Sequence, residues 1–433
     1  MPQQPRHSRA RLLLWLSLLL GLTTAALAAV PATSFDPVAE TEKLLATMPA
    51  AARAKSDAYF EGGYILQVWN LGLSLAIAWA LLKFGIAQKL RTIAEDRFAR
   101  RYLQGLLFIA MFAVVSWVIG LPNDYYVDFV REHRFGLSNL SAGDWLGEQL
   151  KSLMVSVIVF SLVGSLLYMG IRRSPQRWWI RASLATPFFM LFFMVLAPVF
   201  VAPLFNKYTP LADARVRDPI LSMARANGVP VDNVYQFDAS KQSKRISANV
   251  SGALNTIRVS LNDNLLNRST PGEVQAVMGH ELGHYVLNHG YKMVVFFSLV
   301  ICTGFWFTNW FFGWVSRRFG ASWGLRGIDD LAGLPLLMAG LSVFMFFATP
   351  VTNTIIRTQE VEADIFGLNA ARQPDGFATT ALKLSEYRKL APGKWEEIFF
   401  YDHPSGYQRI LMAMRWKAEH LPELTSRTAQ DKQ

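Results

Sequence analysis

Cysteine is almost missing from this chain of 433 residues: there is one, Cys302. That excludes an intramolecular disulfide and any thiolate-based zinc cluster, so a metal here has to take histidine and carboxylate ligands. Charge is scarce as well. Charged residues make up 17% against 52% hydrophobic and 13% aromatic residues, a balance too apolar for disorder or for two or three soluble domains. Acidic residues are the minority, because 43 Lys and Arg against 32 Asp and Glu leave a net charge of +11. No basic stretch carries a nucleic-acid recognition motif, so no nucleic-acid partner is expected and the excess reads as membrane topology. Internal repeats and low-complexity tracts are absent too.

Long apolar sequence is what the chain has in quantity. A spanning helix needs about 20 mostly apolar residues, and seven runs qualify: Leu12 to Ala29, Gly63 to Leu82, Leu103 to Ile119, Leu153 to Ile171, Ala185 to Leu204, Val294 to Val315 and Leu331 to Thr349. The first follows Arg6, Arg9 and Arg11 and ends in Ala26-Leu27-Ala28, so it reads equally as a cleaved signal peptide or as a first transmembrane helix. Three connectors are basic: Lys83 to Arg101, Arg172 to Arg181, and Arg317 to Arg326. Counting helices puts all three on one side, and the positive-inside bias makes that side the cytoplasm. Phe205 to Lys292 and the tail from Val351 are then expected on the non-cytoplasmic face. The signal-like start points to a bacterial inner membrane.

Chemistry concentrates after Ser269. Thr270 and Glu273 have capping-box spacing and Pro271 sits at the first helical position, so a helix is predicted to begin there. Within it comes His280-Glu281-Leu282-Gly283-His284. Residues four apart share a helix face, so His280 and His284 can offer two imidazole nitrogens to one ion. Glu281, beside them, reaches the reacting water without ligating the metal. Zinc brings the pKa of water toward about 7, so a carboxylate can take its proton and direct it at a polarised carbonyl. A hydrolytic zinc site needs a third protein ligand. Arg357-Thr358-Gln359-Glu360-Val361-Glu362-Ala363-Asp364 follows the last apolar run. Glu360 and Asp364 are again four apart, so one face offers Glu360 to the zinc and Asp364 to a histidine ring N–H behind it. Glu362 points elsewhere, and His289 reads as a hydrogen-bonding residue rather than a ligand.

H-E-x-x-H with R-x-x-E-x-x-A-D some seventy residues on resembles the M48 membrane zinc metallopeptidases, specifically the Ste24-type CAAX prenyl proteases. Pro203-Leu204-Phe205-Asn206-Lys207-Tyr208-Thr209-Pro210-Leu211 resembles the segment leaving that family's fifth helix. Asp238-Ala239-Ser240 resembles its substrate-side strand region, and His403-Pro404 with Arg409 its late H-P-x-x-x-x-R element. The resemblance implies one zinc per chain on His280, His284 and Glu360, with Asp364 as proton donor or orienting acid. It also implies that His403 and Arg409 hold substrate or the tetrahedral oxyanion. Where bacterial-type members read N-A-Y-x-x-G in the substrate-pairing strand, this chain reads Ser247-Ala248-Asn249-Val250-Ser251-Gly252, which transfers that role to Ser247 or Asn249. The non-cytoplasmic placement of Phe205 to Lys292 departs from the eukaryotic members, which are understood to work toward the cytosol.

The expected architecture is mainly α: a polytopic helical membrane protein with a zincin-like peptidase region and a small β element near Ile246 to Leu261, where Ile257-Arg258-Val259-Ser260-Leu261 alternates as a strand does. Residues 1–28 form the signal peptide or first helix, 29–204 the N-terminal membrane region, 205–420 the peptidase domain with two spans, and 421–433 a polar tail. The expected function is membrane zinc metalloendopeptidase, with a polypeptide substrate, lipidated if the processing is of CAAX type, and the bilayer as its other partner. A quality-control protease without prenyl specificity and a non-catalytic scaffold retaining a metal site remain alternatives. Glu281 argues against the scaffold, since structural zinc does not need it.

Overall fold

The computed structural model describes residues 35–252 and 257–430, with side chains to Glu423. The first apolar run, Leu12 to Ala29, lies outside the described residues. The other six each fall within a helix long and apolar enough to cross a membrane. In chain order the helices are α1 (Pro37–Leu45), α2 (Ala50–Lys83), α3 (Ile86–Arg97), α4 (Arg101–Phe135), α5 (Ala142–Arg173), α6 (Trp178–Phe205), α7 (Ala214–Ala226), α8 (Asp263–Arg268), α9 (Pro271–Val286), α10 (His289–Phe319), α11 (Leu334–Ala371), α12 (Pro374–Leu384), α13 (Lys394–Phe400) and α14 (Gly406–Gln430). The spans are α2, α4, α5, α6, α10 and α11. Their outer faces stay apolar and exposed, as at Phe188 and Phe347, because hydrocarbon is the solvent there. On α10, Trp306, Trp310 and Trp314 form one exposed stripe at a four-residue interval.

The three basic connectors come together at one end of the bundle. Arg91 pairs with Asp330, Arg326 with Glu95 at 2.7 Å, and Arg172 donates to the Arg101 carbonyl at 3.1 Å. The peptidase elements occupy the other end. α3 and the turn before α11 close the connector end over Leu90, Ala94, Phe108, Tyr168 and Leu331.

Four short strands, β1 (Tyr208–Pro210), β2 (Val234–Phe237), β3 (Ala248–Ser251) and β4 (Arg258–Asn262), make one sheet in the order β1-β2-β4-β3. β2 and β4 run parallel, with Val234 opposite Val259, and the outer two pair antiparallel. The expected strand element corresponds to β3 and β4. β1 and β2 are additions, too short to alternate recognisably in sequence. One face of the sheet, α7 and α9 share a core of Ile220, Val234, Val259, Leu261, Met278 and Leu282. On the opposite side of α9, Ala276 packs with Leu368, Phe377, Ile410 and Leu45. α9 is therefore held between two cores, and its polar residues can be presented without losing its anchorage.

Candidate metallopeptidase site

The capping box is formed in full. Glu273 Oε2 accepts from the Thr270 amide at 2.7 Å, and Thr270 Oγ1 accepts from the Glu273 amide at 3.3 Å, with Pro271 opening the helix. Three turns later α9 lies against α11, and small residues let them approach. A Cβ on Gly367 would meet the His280 amide nitrogen at 2.7 Å, and one on Gly279 would meet the Gly367 carbonyl at 2.9 Å. No larger residue fits at Gly367 without parting the two helices.

That approach brings the donors together. His280 Nε2 and His284 Nε2 are 3.1 Å apart, His280 Nε2 is 3.3 Å from Glu360 Oε2, and His284 Nε2 is 3.4 Å from Glu360 Oε1. A tetrahedral zinc with ligand bonds of 2.0–2.1 Å has ligand–ligand edges of about 3.3 Å, so the triangle has the size such an ion requires. Glu360 is 7% exposed, and the groups beside its Oε2 are imidazole nitrogens, His280 Nε2 at 3.3 Å and His403 Nε2 at 3.2 Å, so a buried carboxylate and ring nitrogens converge as a cation requires. Burial opposes charge on His280, but hydrogen bonding to Asp364 and Glu360 outweighs it and raises its pKa to about 10. The two carboxylates thus draw positive charge to this point. Burial and the neighbouring His280 push His284 down to about 4, keeping it in the neutral form that ligates metal. Among the described residues, His280, His284 and Glu360 form the group able to hold a metal ion.

Each donor is braced. His280 Nδ1 lies 2.7 Å from Asp364 Oδ1, and Arg409 grips Asp364 with two hydrogen bonds of 2.9 and 2.6 Å. Asp364 is fully buried and Arg409 nearly so. His403 Nε2 comes within 3.2 Å of Glu360 Oε2 from the loop before α14, with its Nδ1 on Asp402 at 2.8 Å. Glu281 lines a cavity of about 210 Å³ together with Ser247, His280, Tyr387, His403 and Arg409. Burial pushes its carboxyl up to about 7, within reach of proton exchange at neutral pH. A second cavity of about 960 Å³ opens on the other side and takes in Val250, Gly252, His284 and Glu360.

The structure therefore gathers His280, Glu281, His284, Glu360, Asp364, His403, Arg409 and Ser247 around one point. Asn249 lies in β3 opposite Ser260 and lines neither cavity. Sequence reasoning missed Tyr387 and Arg388 on the cavity wall; nothing in their spacing marks them. His289 is a hydrogen-bonding residue, as expected, and the structure supplies its partners: His284 at 2.9 Å between the Nδ1 atoms and Glu362 behind it.

Fold and site together define an integral, multi-pass membrane metalloprotease acting on polypeptides. Residues 210–417 match the profile of peptidase family M48, and residues 38–207 match that of the CAAX prenyl protease N-terminal region with five membrane helices. The chain belongs to the M48 metallopeptidases of Ste24 type. It is 29% identical over 397 residues to the Bacillus subtilis (strain 168) protein named Uncharacterized metalloprotease YhfN, covering 91% of each chain. It is 27% identical to CAAX prenyl protease 1 of Saccharomyces cerevisiae, over 79% of this chain and 77% of the relative. The crystal structure of S. mikatae Ste24p shares the fold with a TM-score of 0.72 at 24% identity, over 85% of this chain and 89% of that one.

Proposed function

We propose that this chain is a zinc-dependent endopeptidase that binds an extended polypeptide along the free edge of β3 and cleaves it where that edge passes the donor triangle. The observation that carries this is the position of β3. It ends the sheet, its Ser247 end faces the smaller cavity beside Glu281, and its Gly252 end faces the larger one beside His284 and Glu360. An extended peptide added to that edge gains backbone hydrogen bonds and passes from one cavity to the other.

His280, His284 and Glu360 would hold one zinc, which supplies Lewis acidity and activates water near neutral pH. Glu281, on the wall of the smaller cavity, takes a proton from the attacking water and returns it to the leaving amine. Asp364 has no access to substrate, so its role is to hold the Nδ1 proton of His280 and aim the ring, with Arg409 fixing the carboxylate. His403 stands at the cavity wall with its Nε2 3.2 Å from Glu360 Oε2; with Glu360 turned to the zinc, that nitrogen would be free to donate to the developing oxyanion. Both backbone groups of Ser247 pair with Asn262 on β4, so Ser247 would meet substrate through its place on the smaller cavity's wall at the start of the pairing edge, and Asn249 is a weaker candidate for a substrate contact. Residues 205–420 form the peptidase domain, including α10 and α11, and 29–204 the membrane region before it.

The substrate class we favour is CAAX-type, a C-terminal tail whose lipid lies in the bilayer beside the apolar spans. The clustered basic connectors support a peptidase end on the non-cytoplasmic face of a bacterial inner membrane, and that placement favours a membrane-protein substrate without prenyl dependence as the second reading. Cleavage of a matched peptide pair, one farnesylated on a C-terminal CAAX cysteine and one not, separates them, with Glu281→Gln run alongside. Selective cleavage of the farnesylated peptide supports the first reading and equal cleavage the second. Undiminished cleavage by Glu281→Gln removes Glu281 as the base.

A further inference from the structure

On the side of His284 away from the donor triangle, three side chains form a chain that the peptide chemistry above does not use. His284 Nδ1 is 2.9 Å from His289 Nδ1, His289 Nε2 is 3.0 Å from Glu362 Oε2, and the same oxygen accepts from Lys292 Nζ at 2.6 Å. His289 is 3% exposed, whereas Glu362 and Lys292 sit at the rim.

With His284 as a metal ligand, one arrangement of protons satisfies these contacts. His284 turns Nε2 toward His280 and Glu360, so as a ligand it keeps the Nε2 lone pair free and carries its proton on Nδ1. That N–H points at His289 Nδ1, which must then accept. The proton of His289 is left on Nε2, facing the carboxylate of Glu362, which also accepts from Lys292. Each donor has an acceptor and no two protons meet. His280 has a carboxylate directly on its Nδ1, in Asp364, while His284 reaches its carboxylate through a second imidazole.

The backbone is shaped for this contact. In an unbroken helix, His289 would lie about 140° around the axis from His284, facing away. α9 instead stops at Val286, and Asn288 takes a left-handed conformation, φ 58° and ψ 34°, before α10 begins at His289. Asn is among the few residues that adopt this conformation readily. The turn swings the His289 ring back over His284.

We infer that His289 is a positioning residue for the metal site, fixing the tautomer and orientation of His284 and linking it through Glu362 and Lys292 to the protein surface. This rests on the reading of His284 as a metal ligand. The carboxylate–imidazole–imidazole chain raises the donor strength of His284 Nε2 and removes the rotational freedom the ring would otherwise lose on binding.

The test is zinc affinity of the full-length purified protein, measured by competition with a chromophoric chelator, together with the visible spectrum of the cobalt-substituted form. His289→Leu fills the space but accepts no hydrogen bond, whereas His289→Asn restores an acceptor near the position of Nδ1. The expected result is a 10- to 100-fold weaker zinc affinity for His289→Leu, the size usual for loss of a residue that braces a ligand. Recovery of most of it by His289→Asn and an altered cobalt spectrum only in His289→Leu are expected alongside. Glu362→Ala should weaken affinity less, and it tests the chain even if His289→Leu does not fold. Affinity within about threefold of wild type in His289→Leu overturns the inference, as does His289→Asn binding no better than His289→Leu, or, if His289→Leu does not fold, unchanged affinity in Glu362→Ala. His284→Ala separates the two levels. If it binds zinc as the wild type does, the ligand assignment itself fails; if it loses zinc while His289→Leu keeps it, only the positioning role fails.

Discussion

Gly367→Ala adds one methyl group at the crossing of α9 and α11. The new Cβ would lie 2.7 Å from the His280 amide nitrogen, 3.0 Å from the His280 Cα and 3.1 Å from the Gly279 carbonyl carbon. Relaxed contacts between such atoms are about 3.5–4.0 Å, so the helices have to part by roughly 0.8 Å. All three neighbours are backbone atoms, and no rotamer change relieves them. The donor edges to Glu360, 3.3 and 3.4 Å, span the same two helices, while metal sites tolerate only about 0.2 Å in their ligand distances. Overpacking of this kind costs about 1–3 kcal/mol. If the strain is relieved by opening the triangle, zinc affinity should fall about 5- to 150-fold. Chelator competition, peptidase turnover and thermal unfolding measured on one preparation check this. Gly72→Ala is the control, since its Cβ meets nothing within 4 Å and helix propensity favours Ala by up to about 1 kcal/mol. Wild-type zinc affinity and turnover in Gly367→Ala would refute the claim that close approach of these helices builds the site.

Two further outcomes are expected. Arg409→Met leaves the fully buried Asp364 carboxylate without its cation, so thermal unfolding should show a loss of about 3–5 kcal/mol; adding Asp364→Asn should recover part of it, and an unchanged unfolding midpoint would contradict the pairing. In a Cys302→Ser background, single cysteines at the exposed positions Arg215 and Arg318 should react with impermeant thiol reagents from opposite sides of the membrane. Labelling of the Arg215 position from the cytoplasm would reverse the proposed orientation.

Much of the site was legible because helices make one kind of proximity local. The four-residue interval of His280 and His284 puts both rings on one face wherever the helix lies, and the same holds for Glu360 and Asp364 on α11. Thr270, Pro271 and Glu273 announced the start of α9 by chemistry that acts within three residues. The spans were legible for a similar reason, since about 20 apolar residues suffice for a bilayer whatever their neighbours. β1 and β2 were not, because strands of three and four residues are defined by their partners, Tyr208 by Phe237 and Val234 by Val259.

The sequence by itself determined which residues form the donor group and which proposed base stands beside it, which described helices are long and apolar enough to cross a membrane, and that the basic connectors share one side. Tertiary structure decided the rest, because it depends on distances between segments far apart in the chain. It set Gly367 against His280, bringing Glu360 within 3.3 Å of a histidine 80 residues earlier. It delivered His403 to Glu360 and Arg409 to Asp364 from beyond α13. It also broke the helix at Asn288, turning His289 from a residue facing away into the partner of His284. Periodicity describes one helix at a time, and these contacts depend on how closely two backbones approach and where one of them bends.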